Sequence, residues 1–273
     1  MSAFTKVKLI DRYRACMLGG LVGDCLGAPF ECQFKGLVPP NKISAFFDKL
    51  DEDGGSKEPF KYTDDTAMAR QIALSLIEKR GLETKDVAKR FVDDYTREPW
   101  RGYGGAVVAV FDKLKASECS DPFKPASEQF NGTGSYGNGA AMRAHPLGLF
   151  CYNKDLEAVI ECARSVAKIT PAHPDGVNGG ILQSVAVYNA LKGVSPQEML
   201  TTLIDTAQKI EDGGDEAKVY VKKLQRVKEF LEVPEVDLGQ VCAELGNDVS
   251  AIKSVPTALF CFLKCALDFQ GDE

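Results

Sequence analysis

Histidine is almost missing from this sequence, with two residues, and tryptophan occurs once. Neither His145 nor His173 lies in a pattern with a Ser or Cys nucleophile, so a triad of the serine- or cysteine-hydrolase kind finds no support. No two of the nine cysteines (16, 25, 32, 119, 151, 162, 242, 261 and 265) stand in the C-x-x-C spacing. They are scattered, odd in number and mostly set among apolar neighbours, as reduced core thiols are. Cys261 and Cys265, four apart on an apolar helix, are read as packing, since zinc needs four converging ligands.

Long apolar runs are absent too. No stretch approaches the roughly 18 residues a membrane helix requires, and the opening MSAFTKVKLIDRYR has no uninterrupted apolar core of a secretory signal. The expectation is an intracellular protein, cytoplasmic or nuclear, with a mitochondrial placement left open. Basic charge is in deficit, 33 Lys and Arg against 39 Asp and Glu, for a net charge of -6. Nucleic-acid affinity rests on phosphate neutralisation by clustered basic residues, so no direct DNA binding is expected. A small phosphate-bearing ligand held by backbone N–H groups stays open.

Strand-type alternation is also scarce, whereas apolar residues recur at helical spacing, as in Leu9, Tyr13, Cys16, Met17 and Leu21, and again in Met68, Ile72, Leu76 and Ile77. Further helices are predicted at 85–96, 104–115, 139–150, 155–169, 176–192, 215–232 and 237–245, with Pro256 opening a last one to about Leu267. Ser195-Pro196-Gln197-Glu198 combines an N-cap, a proline at the first helical position and a Glu at the third, a strong start signal. The fold class is therefore all-α, a single domain over residues 1–273, with monomer as the default state. Gly, Pro and Asp gather in five breaks, at 19–31, 51–66, 98–105, 131–139 and 170–180, where an all-helical scaffold carries its chemistry.

Tyr62-Thr63-Asp64-Asp65-Thr66 crowds two carboxylates and two hydroxyls at one helix N-terminus. An ordinary N-cap explains one of these residues; a hard, oxygen-preferring cation such as magnesium or manganese explains the run. Gly132-Thr133-Gly134-Ser135-Tyr136-Gly137-Asn138-Gly139 is dense enough in glycine to turn several bare N–H groups toward a phosphate or diphosphate beside a helix dipole. Phe130 and Tyr136 offer faces for an adenine. A plain flexible turn is the alternative, and the loop matches neither the P-loop nor the dinucleotide fingerprint. Gly19, Gly20, Gly23 and Gly27 cost the first helix up to about 1 kcal/mol each, which close packing against another helix would offset. Glu31 opens the loop toward Pro39-Pro40 and on periodicity alone reads as a solvated acid. His145 reads as structural; His173, between helices, is a candidate ligand contact. The acidic run Glu211 to Glu216 reads as a solvated turn.

Taken together, GGLVGDCLGAPFE, YTDDTAMAR, RGYG, FNGTGSYGNGAAMR, VNGGILQ, and ELGN followed by SVPTALFCFL resemble the ADP-ribosyl-glycohydrolase family, in its branch that removes ADP-ribose from serine and degrades poly(ADP-ribose). The ordered set spans residues 12–265. The resemblance implies an orthogonal helical bundle with two magnesium ions at the mouth of an ADP-ribose cleft. It places metal on Thr63, Asp64 and Asp65 and a metal contact on Glu31, with the catalytic proton managed by Glu31 or by an Asp beside the metals, Asp64 or Asp65. It places the diphosphate on Thr133 through Gly139, adenine near Phe130 and Tyr136, and ligand beside Val249. Partners would be ADP-ribose, ADP-ribosylated proteins and poly(ADP-ribose), with O-acetyl-ADP-ribose a further substrate and the DNA damage response a setting.

Two departures carry expectations of their own. Where the branch has a histidine after the threonine of its T-H motif this chain has Pro171, leaving the ribose contact to His173. The family also completes its metal site from a later Gly-Gly-Asp-Thr-Asp segment, whereas this sequence stops at Gln270-Gly271-Asp272-Glu273. Gly213-Gly214-Asp215-Glu216 is only superficially like it. The expectation is a C-terminally incomplete domain with its second magnesium site short of ligands and with apolar surface exposed around Leu259, Phe262 and Leu263. A catalytically weak or dead ADP-ribose-binding protein is the alternative to the hydrolase.

Overall fold

A computed structural model describes residues 7–31, 38–52, 59–214 and 217–271. Cys32, Asp215, Glu216, Asp272 and Glu273 lie outside the described residues. Among those described the architecture is helical throughout, with no strand beyond one isolated antiparallel bridge between Gly137 and Ser250.

The first part of the chain forms α1 (Leu9–Gly27), α2 (Pro40–Glu52), α3 (Asp64–Lys79), α4 (Thr84–Arg97) and α5 (Gly105–Ala116). Two short turns of helix follow, α6 (Lys124–Ser127) and α7 (Gln129–Gly132), then α8 (His145–Phe150), α9 (Leu156–Ala167) and α10 (Pro174–Lys192). The last four are α11 (Pro196–Ile210), α12 (Val219–Leu231), α13 (Leu238–Leu245) and α14 (Ala251–Gly271). α10 is the central helix. α8, α9, α11 and α14 all pack on it, α3 and α4 join through α8 and α9, and α12 and α13 close over α14. An all-round apolar surface is what a central helix needs, and Val177, Ile181, Leu182, Val185, Tyr188 and Leu191 supply it.

The capping box at Ser195 forms as the sequence indicates, Ser195 Oγ accepting the Glu198 N–H and the Glu198 carboxylate accepting the Ser195 N–H. Elsewhere the boundaries move. The helix expected over 139–150 is broken: Asn138–Ala140 is one 3-10 turn and α8 begins only at His145. Pro146 explains the break, because proline lacks an N–H and clashes with the preceding turn but fits the first turn of a new helix. Pro256 does not open the last helix; it sits inside α14. Asp248 accepts both the N–H and the hydroxyl of Ser250, and the Ser250 carbonyl accepts the Lys253 and Ser254 amides, so the helix starts one turn earlier. α2 was not anticipated; its Phe46 packs edge-on against Phe30 and Phe60, at 5.1 and 5.8 Å between ring centres.

Three expectations about packing are corrected. Leu259 and Leu263 are buried, not exposed, because with Val255 and Phe260 they form the inner face of α14; of the three residues named, only Phe262 is exposed. The same face rule puts Cys261 and Cys265 outside, so they are not core thiols, while Cys119, Cys151 and Cys162 are. Finally, of the α1 glycines only Gly20 marks a close approach to another helix, at His145 of α8. A side chain at Gly20 would meet the His145 ring at 3.1 Å, but at Gly19, Gly23 and Gly27 it would meet nothing within 4 Å among the described residues.

Candidate active site

The open side of those glycines is a wall of the main cleft, about 830 Å³ in volume, within the ~300–1,000 Å³ usual for small-molecule and cofactor sites. α1, the start of α3, the loop 98–104, the glycine loop before α8, the turn at Thr170-Pro171 and the loop before α14 all line it.

One end is acidic. Thr63 caps α3, its Oγ1 accepting the Asp65 N–H at 3.4 Å, so the capping reading holds for this residue alone. The Asp64 N–H donates to the Arg101 carbonyl at 2.8 Å, and the Arg101 guanidinium lies 3.7 Å from the centre of the Tyr62 ring. The loop 98–104 thereby straps down the start of α3. Gly102, with φ of 88°, supplies the left-handed turn of that strap; a side chain there would make only ordinary contact, 3.8 Å from Asp64 Oδ1.

Asp24, which the sequence reading passed over inside GGLVGDCLGAPFE, is the anchor of this end. Its carboxylate accepts the Thr63 N–H, the Thr63 hydroxyl and the Thr66 N–H, at 3.0, 2.8 and 3.1 Å. Glu31 follows the 3-10 turn Ala28–Phe30 and joins the same rim, exposed. Burial, then the charge of Asp65, push the Asp64 carboxyl up to about 7. Burial, then the charges of Asp24 and Glu31, push Asp65 up to about 6. Among the described residues none of these four carboxylates takes part in an ion pair. Hard oxygens are the donor type a divalent cation prefers, and Thr63, Asp64, Asp65 and Glu31 are the residues that could hold one, with Asp24 fixing Thr63. Among the described residues, however, no group of three or more acidic, histidine or cysteine side chains converges closely enough to hold a metal ion.

The other end is the glycine loop. Ser135, Gly137, Asn138 and Gly139 line the cleft, as does Val249. Part of the expected nest is spent internally: the amides of Thr133, Gly134, Gly137 and Asn138 donate to Phe130 O, Gln129 O, Ser135 Oγ and Val249 O. Those of Ser135 and Tyr136 have no backbone acceptor among the described residues. Gly134 is obligatory, with φ of 75° and a side chain there only 2.5 Å from the His173 amide.

The structure does not bring every expected residue to the cleft wall. Thr133 turns its hydroxyl to the Phe130 carbonyl. Phe130 and Tyr136 are 56% and 59% exposed and stand outside the lining. His173 is the N-cap of α10, its Nδ1 accepting the Asp175 N–H at 3.1 Å, and it stacks edge-on with Tyr136. Pro171, its neighbour, is the one that lines the cleft. Conversely His145, read as structural, does line the cleft; burial holds its imidazole down to about 4, hence neutral. Gln129 and Arg143 also line it and were not anticipated. Gln129 lies beside Phe130 and Arg143 closes FNGTGSYGNGAAMR, so their motif was visible though their direction was not.

The sequence pattern of the family described as ADP-ribosylglycohydrolase matches residues 5–271. The chain is similar to ADP-ribosylhydrolase ARH3 of Gallus gallus, 43% identical over 93% of this chain and 73% of that protein. It is likewise similar to ADP-ribosylhydrolase ARH3 of Homo sapiens, 39% identical over 94% of this chain and 74% of that protein. A solved structure described as an ADP-ribosylglycohydrolase-related protein complex superposes with a TM-score of 0.57 at 23% identity, covering 94% of this chain and 89% of its own, and bears on the fold alone.

Proposed function

Because the chain belongs to the ADP-ribosylglycohydrolase family and is a hydrolase, we propose that it cleaves O-glycosidic ADP-ribose linkages and releases ADP-ribose. ADP-ribosylserine on proteins is the first substrate, with poly(ADP-ribose) and O-acetyl-ADP-ribose as others. The observation that carries this reading is the polarity of one cleft: uncompensated carboxylates at one end and a glycine loop with open amides at the other. A ribose with its scissile bond fits the first and a diphosphate the second.

Thr63, Asp64, Asp65 and Glu31 are the residues we assign to magnesium, which when bound would supply Lewis-acid polarisation and charge stabilisation. The chain's own residues do the rest. Asp24 fixes the Thr63 backbone and hydroxyl and so the direction of the α3 start. Glu31, exposed at the rim, manages the proton as the glycosidic oxygen leaves, with Asp64 and Asp65 as neighbouring carboxylates. Ser135, Gly137, Asn138 and Gly139 hold the diphosphate and Val249 closes the wall beside it. Holding the anomeric carbon in register is worth more than any single contact.

A second reading, an ADP-ribose-binding protein of little or no turnover, is favoured by one observation: no three metal-binding side chains converge among the described residues. Release of ADP-ribose from an ADP-ribosylserine peptide, with magnesium and with excess chelator, separates the two. Magnesium-dependent release supports the hydrolase; ADP-ribose binding without release selects the second.

A further inference from the structure

Three charged side chains are buried among the described residues. Asp94 pairs with Arg97, and the Glu211 carboxylate accepts the Tyr220 and Val221 amides at 2.8 and 3.0 Å. Arg143, 1% exposed, has no such partner. One Nη donates to the Thr170 carbonyl, the other rests 3.7 Å from the Met68 sulfur, and Nε meets no acceptor among the described residues. The guanidinium lies over the Phe91 ring, 4.8 Å from its centre. A fully buried arginine is rare unless paired, because desolvating the charge is expensive. Burial brings Arg143 down to about 9, with Asp64 acting the other way, so it remains a cation at neutral pH.

Its position explains why the cost is tolerated. Arg143 borders the cleft from beneath the glycine loop, and its Nη1 is 3.9 Å from where a side chain at Gly139 would begin. The same group ties that loop to the Thr170 turn opposite. A charge in a dry interior is little screened, and its field extends through the loop to whatever anion rests on the other side.

We propose that Arg143 is a positioning residue for the diphosphate of the ligand, a built-in counter-charge that acts through the Gly137-Asn138-Gly139 backbone without touching the ligand. The inference rests on the ADP-ribose reading of the cleft. Its test compares ADP-ribose, inorganic pyrophosphate and adenosine by calorimetry on the unaltered chain and on Arg143→Met and Arg143→Lys. Met weakens ADP-ribose and pyrophosphate by about tenfold, as loss of a little-screened charge acting across the loop would, and changes adenosine by less than about twofold. Lys, which keeps the charge, regains most of the loss. Should Met fail to fold by circular dichroism, Arg143→Gln, which keeps a donor for Thr170, carries the comparison. Parallel weakening of all three ligands, or no change in any, overturns the proposal and leaves a structural tie. If the unaltered chain binds pyrophosphate but not ADP-ribose, the functional reading fails while the Arg143 comparison on pyrophosphate still decides. If it binds neither, both fall.

Discussion

Asp24 and Thr63 are 39 residues apart in sequence and joined by both the backbone N–H and the hydroxyl of Thr63, at 3.0 and 2.8 Å. This contact fixes α1 to the start of α3, where Asp64 and Asp65 are oriented. Asp24→Asn should therefore cost more than a surface substitution. Its amide nitrogen faces donors, which leaves part-buried groups unpaired at about 1–3 kcal/mol. Calorimetry should show a melting temperature lower by several degrees, with ADP-ribose release falling further than stability; an unchanged melt would remove Asp24 from its anchoring role.

Asp64 and Asp65 make stability depend on pH in a direction opposite to most carboxylates. Both are raised above their ordinary 3.8, to about 7 and about 6, so between those values the native state binds more protons than the unfolded one. The stability this pair contributes is full below 3.8 and is lost as pH rises through about 6 and about 7. In chelator, denaturant unfolding of the native chain should lose stability over that window, and Asp64→Asn, neutral throughout, should show a shallower slope. Equal slopes would mean that the carboxylates are already compensated.

Magnesium should reverse that loss, since a ligand that binds only the native state stabilises it. Thermal shift in excess magnesium should rise more at about pH 8 than at about pH 5.5, because the ion and the protons compete for the same oxygens. Asp65→Asn should remove most of the shift. A shift indifferent to pH and to Asp65 would place the ion elsewhere.

The helices and the site were not equally legible in the sequence. α3, α4, α5, α9 and α11 follow from periodicity and caps because each is a local pattern. Pro146 and Pro256 misled in opposite ways: one proline ends a run and the other is carried through, and the difference lies in Asp248 and Ser250, which start α14 from outside it. Thr63, Asp64 and Asp65 stand out as adjacent oxygens, but Asp24 acts on them across a fold contact that no local pattern encodes. His173 looked free because a loop histidine has no visible partner in sequence; capping α10 is what occupies it. The glycine loop was readable as a loop, yet which of its amides remain open was decided by Val249, Ser135 and Gln129.

Gly148 sets how closely α8 crosses the central helix. A methyl there would stand 2.6 Å from the Ser184 carbonyl and 2.9 Å from Val187 Cβ, and α10 cannot retreat because α9, α11 and α14 brace it. Gly148→Ala should cost about 1–3 kcal/mol through overpacking, visible as a lower denaturation midpoint with an unchanged slope. Because α8 carries His145 at the cleft wall, ligand affinity should fall with it; a neutral result would mean that α8 is free to shift.

Gly23 is the converse case. It lies inside α1, beside Asp24, with nothing among the described residues within 4 Å of a side chain placed there, and it lines the cleft. Mid-helix glycine is worse than alanine by up to ~1 kcal/mol, so a position with open space has a reason other than packing to keep it. Gly23→Ala should raise the melting temperature by a few degrees while narrowing the acid end and weakening ADP-ribose binding. Gain of stability with loss of affinity is the signature of a residue kept small for the ligand; gain of stability with affinity intact would mean that the ligand does not reach α1, and that the acids at Thr63 to Asp65 are approached from the glycine loop alone.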